Sequence, residues 1–514
     1  MQLQARLWNY VSGFSSRGAP SRCESRMPRW AGSTLLLASM MAGCTVGPNY
    51  HRPNLSAPAP PTYKEGSSSG AVLPPPNPAG GTWKPASPSD GMLRGKWWEI
   101  YQDPQLNALE EQIVPQNQNL HAAMETYLSA RDQVRVARAN FYPTFSATPA
   151  ASRARESVHR PLVPPGTANQ YSDFQLEGAA SWEPDFWGQV RRTVEAARAT
   201  AQASAADVAN LDLILHAELA MDYFELRGLD SDKRLLERTV TDYQNQLELN
   251  QNLVKGGLAT EVVVAQALTL LETTRAQLVD VNEARKEYEH AIATLINKEA
   301  TDVTLAPLPL DLALPKVPVG VPSQLVERRP DIAGAERRTA AANAQIGIAV
   351  SAFYPNVVLG GGGGFESTNV GTLIQGPSTL WSLGASATEL IFDAGKRHAL
   401  TDEARHNYEA QAATYRATVL GAFNEVEDRL SDLQVLQEES VTEQRAVAAA
   451  QHSLDLSNQR YRGGATSYLE VLIADSTLLM NQRTATDLQT RQFAASVGLI
   501  RALGGGWDIT QLPK

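Results

Sequence analysis

The residue types that do enzyme chemistry are present in this chain but not assembled. Eight histidines occur, with no HxxxH pair and no zinc-ligand spacing. Ser, His and Asp are all available, yet no nucleophile-elbow motif appears. Five consecutive glycines at 360–364 invite a phosphate-cradle reading. No Gly-Lys-Ser/Thr follows them, and they sit in a strand-like stretch, where glycine eases curvature or a bulge. No catalytic residue, metal site or cofactor is assigned, and the chain is not read as an enzyme. Two cysteines remain, Cys23 and Cys44.

Cys44 has a context. Arg26 and Arg29 precede a short apolar core at 31–42, which ends in Met41-Ala42-Gly43-Cys44. A basic start, a short apolar segment and small residues make a secretory signal over 1–44. The small-small-Cys ending resembles a bacterial lipobox, which makes Cys44 the lipidated first residue of the mature chain. Met27 gives a signal of more usual length, so translation could start there. Cys23 lies before the cut, so Cys44 alone is left and no intrachain disulfide can form. Thr45 follows; by the same resemblance an aspartate there would hold a lipoprotein in the inner membrane, and threonine favours the outer one.

The formal charge is −10. Residues 1–44 hold five arginines and one glutamate, so 40 basic against 54 acidic side chains leave the mature part near −14. That argues against nucleic acid as a partner. No uninterrupted apolar stretch approaches the roughly 20 residues of a spanning helix.

The elements that would position any site come in two matching sets. Phe141-Tyr142-Pro143 and Phe353-Tyr354-Pro355 each follow a charged, alanine-rich helical run and precede alternating small residues. Proline fixes φ, donates no N–H and drives the preceding tyrosine out of helical geometry. Tyr142, Pro143, Tyr354 and Pro355 are therefore helix-to-strand hinges with a structural role. The first long helix is expected over 113–141. In 144–187, Phe174, Leu176, Gly178, Ala180 and Trp182 alternate with Asp173, Gln175, Glu177 and Glu183, the period of an amphipathic strand. A helix follows from about Val190 to Lys255, with a possible break at Gly228-Leu229-Asp230. A Gly turn at 256–260 leads into a returning helix with a coiled-coil-like seam. The second half repeats the plan: Asp331 is placed to cap the helix after Arg329-Pro330, strands follow, a helix runs from Lys396 to Arg462, and a turn at Gly463-Gly464 leads back up. Tyr142 and Tyr354 are 212 residues apart; Gly256 and Gly463 are 207 apart.

The expected division is a signal at 1–44, a Pro/Ser/Gly-rich tether at 45–95, and a first repeat at 96–300, with a strand hairpin at 143–187 and a helical hairpin at 190–297. A Pro-rich linker spans 301–325. The second repeat covers 326–514, with a strand hairpin at 355–393 and a helical hairpin at 396–503. Four amphipathic strands cannot close a membrane sheet alone, because unpaired backbone groups in lipid each cost several kcal/mol. The strands must pair between chains, or lie outside a membrane.

These residues resemble the TolC- and OprM-like outer membrane factor lipoproteins of tripartite, RND-type efflux pumps. The resemblance covers nearly all of the mature chain. It rests on 44–50, 97–106, both Phe-Tyr-Pro hinges, 329–332, the two Gly turns with Thr260-Glu261-Val262 and 467–471, and Leu503-Gly504-Gly505-Gly506-Trp507. It implies a mainly α fold with a membrane β-barrel. Each chain would give four strands and long antiparallel helical hairpins in two repeats. A homotrimer would close them into a 12-stranded barrel above a periplasmic α-helical tunnel, in the outer membrane of a Gram-negative bacterium. The implied partners are a periplasmic adaptor (membrane fusion protein), an inner-membrane RND-type transporter and outer-membrane lipid. The implied function is a passive exit duct for drugs or other small molecules, gated at the periplasmic tips. By the same resemblance the gate involves Tyr461 and Glu470; the family's second acidic position falls on Ile473, and the next acid is Asp475. Gly256, Gly257, Thr260, Gly463, Gly464 and Thr466 would meet the adaptor. Two other readings stay open: the duct of a type I-like protein secretion system, and a non-conducting trimeric surface coiled-coil protein.

Overall fold

The computed structural model describes residues 45–54, 63–65, 95–159, 161, 169–319 and 322–513. Cys44 and the rest of the expected signal lie outside the described residues.

Helices dominate, and they come in two sets. A short turn at Trp97–Tyr101 leads into α1 (Pro104–Gln116) and α2 (Gln118–Ala139). Strands β1 (Thr144–Arg155) and β2 (Gln170–Trp182) follow. Then come α3 (Gln189–Lys255) and α4 (Glu261–Leu295). The second set is α5 (Pro322–Arg328), α6 (Pro330–Ser351), β3 (Asn356–Ser367), β4 (Thr379–Thr388), α7 (Lys396–Arg462) and α8 (Tyr468–Ala502). The descending helices α3 and α7 each have 67 residues, and the returning α4 and α8 each have 35. At 1.5 Å per residue the long ones reach roughly 100 Å. Among the described residues no helix is long and apolar enough to cross a membrane.

Five sequence expectations are corrected. The first helix is two helices. Asn117 separates them because its side chain accepts from Leu120 N–H at 3.1 Å and donates to the Leu295 carbonyl at 2.9 Å. Asp331 is not a cap: α6 begins at Pro330, Arg329 occupies the cap position, and Asp331 pairs with the Arg329 guanidinium at 2.8 Å. The tether is partly a strap. Residues 45–54 lie against α3, α6 and α7, with Tyr50 donating to Glu336 Oε1 at 2.6 Å and Arg416 donating to the Asn54 carbonyl at 3.1 Å. The linker is a strap as well. Val303, Leu305 and Leu310 are buried in the main core with Trp97, Trp98, Tyr101, Phe224 and Phe493. Proline suits both segments, because each travels extended across helices rather than pairing with them.

The fifth concerns Gly228, where α3 runs on without interruption. A Cβ built there would fall 2.1 Å from Thr490 Oγ1 of α8. The glycine lets two helices approach; it breaks neither. Gly228→Ala is therefore expected to overpack the contact and cost about 1–3 kcal/mol. Thr490→Ala in the same chain should recover most of that loss in thermal-unfolding measurements, and absence of rescue would show that the glycine matters for its backbone instead.

The four strands form one antiparallel sheet in sequence order, leaving β1 and β4 as its edges. The ladder runs unbroken through 360–364, so these glycines mark no bulge. They mark closeness: a Cβ on Gly364 would lie 2.1 Å from the Leu176 carbonyl oxygen, and one on Gly362 would lie 2.8 Å from Glu177 Oε1. Register carries the alternation across all four strands. Phe145, Ala180, Gly361 and Leu383 stand in one row, and Pro149, Leu176 and Phe365 in another. The opposite face aligns Thr148 with Glu177 and Gly364, and Ser146 with Ala179, Gly362 and Ser382. One face of the sheet is mainly apolar and the other mainly small or polar, Val358 and Leu380 being its large apolar residues.

Candidate functional site

Two places carry the geometry that matters, the hinge where helices become strands and the tips of the helical hairpins. At the hinge, α2 ends at Ala139 and β1 starts after Pro143; α6 ends at Ser351 and β3 starts after Pro355. Indole N–H groups hold both hinges. Trp182 Nε1 donates to the Phe141 carbonyl at 3.0 Å, and Trp187 Nε1 donates to the Pro355 carbonyl at 2.7 Å. Trp187 also stacks on Tyr354 at 4.9 Å between centroids, and both Tyr354 and Tyr142 are exposed.

The chain turns back down through a motif used twice. Gly188 and Gly395 precede α3 and α7 with φ of 85° and 87°. Only glycine takes that conformation without strain. Upstream, Asp185 accepts from the backbone N–H groups of Val190 and Arg191 and from Arg191 Nε; Asp393 accepts from the N–H groups of Gly395 and Arg397 and from Arg397 Nε. Carboxylates at helix starts satisfy orphan N–H groups and meet the positive end of the helix dipole. The sequence reading passed over this pair, although 185–191 and 393–397 share an acid, a glycine and an arginine in that order.

At the tips, Gly257 and Gly464 take φ of 74° and 70° after Gly256 and Gly463 at −82° and −81°. Leu258 N–H reaches back to the Leu253 carbonyl and Ala465 N–H to the Arg460 carbonyl, both at 2.9 Å, the bond of a Schellman close. The four glycines and Thr260 are exposed, and Thr466 is half-buried.

The three sequence-predicted gate residues do different things. Tyr461 packs against Tyr468 of its own hairpin, the rings tilted at 55° and 5.5 Å apart between centroids. Glu470 pairs with Arg460 at 3.3 Å, also within the hairpin, and both side chains are about half exposed. Asp475 faces the other hairpin. It is half-buried beside Tyr243 of α3, and burial, with Asp242 nearby and the Tyr243 hydroxyl opposing, pushes its carboxyl up to about 6. Asn250 of α3 is wholly buried at the same end, close to Tyr468. Sequence reasoning named neither Tyr243 nor Asn250; both look like solvated positions on a polar helix until α8 is laid against them.

The other buried charges are structural. His216 Nδ1 lies 2.6 Å from Glu110 Oε2 and the ring stacks on Trp98 at 4.3 Å. Burial opposes its charge, but the Asp212 and Glu110 carboxylates outweigh that and push it up to about 9. Among the described residues no three His, Cys, Asp or Glu side chains could share a metal ion.

A sheet with an apolar and a polar face, set above long paired helices in two repeats, defines a channel-forming envelope protein. The chain belongs to the outer membrane efflux protein family, whose model matches residues 109–298 and 321–505. Its fold is that of the family's trimeric channels, mainly α with four strands per chain, and its place is the outer membrane, extending into the periplasm. It is 31% identical over 427 residues to the pyoverdine export outer membrane protein OpmQ of Pseudomonas aeruginosa, covering 82% of this chain and 90% of that one. It is 30% identical over 474 residues to the toluene efflux pump outer membrane protein TtgI of Pseudomonas putida, covering 92% and 97%. The solved outer-membrane channel OprN superposes with a TM-score of 0.80 at 27% identity, over 90% of this chain and all of the other. The family is one of efflux-pump components.

Proposed function

We propose that three copies join β1 of one chain to β4 of the next, closing a 12-stranded barrel whose polar face lines a water-filled duct. One observation carries this: the sheet is apolar on one face, polar on the other, and open at both edges. An open edge in lipid leaves unpaired N–H and C=O groups, so the sheet is stable in a membrane only once closed. The strands have 10 to 13 residues, enough for a tilted membrane strand of about 9–11. The duct continues through the helices of the three chains and conducts small molecules passively. An inner-membrane RND-type transporter drives the flux, and a periplasmic adaptor links it to the exposed Gly turns. Cys44 carries the lipid anchor. Tyr461, Glu470 and Asp475 act at the periplasmic gate, Asp475 through its half-buried charge at the α8–α3 contact and the other two by bracing their own hairpin. The relatives' names, pyoverdine export and toluene efflux, support small-molecule cargo.

Planar-bilayer recording tests this reading. Purified trimers should give small closed-state currents, and Tyr461→Ala should raise them severalfold by removing its packing on Tyr468 in the α7–α8 hairpin. Trimers that conduct nothing in either form, although correctly inserted, would refute the duct.

A further inference from the structure

A cavity of about 270 Å³ lies at the hinge, where the α6-to-β3 crossing meets the start of α3. Phe186, Trp187, Val190, Tyr354, Pro355 and Leu390 give it apolar walls. The described chain begins beside it. Val46 N–H donates to the Trp187 carbonyl at 3.1 Å, and a Cβ on Gly188 would lie 3.0 Å from the Thr45 Cα. Arg192 locks this backbone, donating to the Val46 and Gly47 carbonyls and to Asn49 Oδ1. Thr45, the residue that follows Cys44 in sequence, thus packs on Gly188, between two residues that line the cavity. On the lipid side the apolar surface continues outward through Leu390, Ile391 and Phe392, all exposed.

We propose that this cavity seats one acyl chain of the lipid carried on Cys44, which rests on the lipidation reading above. The size fits a chain segment rather than a whole lipid, since pockets for drug-sized ligands run about 300–1,000 Å³. The charge at the rim fits too. Glu183 lines the cavity, and an acid repels the phosphate of a free phospholipid, whereas a tethered acyl chain is neutral. Tethering removes the cost of bringing the chain in from the bilayer, because the anchor holds it at the mouth. The seated chain would wedge the strap against the hinge and fix the depth of the barrel in the inner leaflet.

The test uses cells fed a palmitate analogue bearing a photoactivatable diazirine. The purified, irradiated trimer is digested, and cross-linked peptides are mapped by mass spectrometry. Peptides joining the Cys44 terminus to 184–190 or 351–357 are expected, and Val190→Trp, which fills the cavity, should reduce them at least tenfold. Val190→Leu, a smaller change that folds more safely, should reduce them severalfold. Cross-links from Cys44 found only on bulk lipid would overturn the proposal. Labelling of the same cavity peptides in Cys44→Ala protein would also overturn it, assigning the site to free lipid. A chain with no label on Cys44 would instead refute lipidation itself, and the seating with it.

Discussion

Asp230→Ala is expected to lower stability by about 3–5 kcal/mol, the usual cost of removing one partner from a buried charge network. Asp230 is fully buried on α3. One carboxylate oxygen accepts from Arg285 Nε at 2.6 Å, and the other accepts from Leu308 N–H at 2.9 Å and from Arg227 Nη1 at 3.3 Å. The two arginines then hold the strap. Arg285 donates to the Leu305 carbonyl at 2.6 Å, and Arg227 to the carbonyls of Ala306 and Leu308 at 3.1 and 3.2 Å. Arg227 also donates to the Tyr223 hydroxyl at 2.8 Å, and that hydroxyl donates to Asp103, the cap of α1. Without Asp230, Arg285 keeps Glu289, but Arg227 keeps no charged partner among these contacts. A buried guanidinium without a counter-charge cannot shed its proton to escape the cost. The measurement is the thermal midpoint of the trimer with limited proteolysis of the strap at 301–319. The control is Asp311→Ala, which removes an exposed pair with Arg234 and should cost under about 1 kcal/mol. Equal effects of the two substitutions would show that Asp230 holds nothing.

The contrast between Asp230 and Pro355 shows what the sequence made readable. Hinges, strands and turns were legible because each depends on local chemistry: a proline without an N–H, a glycine at positive φ, a period of two. The fold class followed from those marks plus the family resemblance. Asp230 was read as part of a possible break, because Gly228-Leu229-Asp230 looks like a turn when its partners are unknown. Besides Arg227 on the same helix, its partners lie 55 and 78 residues away on α4 and the strap. No local pattern encodes such a contact. The prolines of 301–325 misled in the same way, since an extended segment reads as free whether or not helices bind it. At the tips the tyrosine and acid were found by resemblance, but their division of labour was not. Arg460 claims Glu470 within the hairpin, while Asp475 faces Tyr243 of α3.

Acidification from about pH 7.5 to 5 is expected to tighten the tips and reduce conductance through Asp475. The groups facing it are Tyr243 and Asp242 on α3, with Tyr468 on its own helix. Burial, the largest influence, raises its carboxyl from 3.8 to about 6. Above about pH 6 the group is ionised whether α8 is packed or released, so the packed form bears the full cost of a half-buried charge. Below 3.8 it is neutral in both and bears none. The packed form therefore gains stability as pH falls through 6, and the gain is complete near 4. A shift of two units corresponds to about 3 kcal/mol, which partial exposure and screening cut to about 1–2 kcal/mol per chain. That is a five- to thirtyfold change in the packed-to-released ratio. Asp475→Asn should hold the tips packed at every pH, giving low conductance at 7.5 and no acid response. Tyr243→Phe removes the hydroxyl that favours the charged form, so its transition should move to higher pH. Glu470 is exposed and held by Arg460, so Glu470→Gln should leave the midpoint near 6. An unchanged acid response in Asp475→Asn trimers would sink this assignment and send the proton elsewhere on the tips.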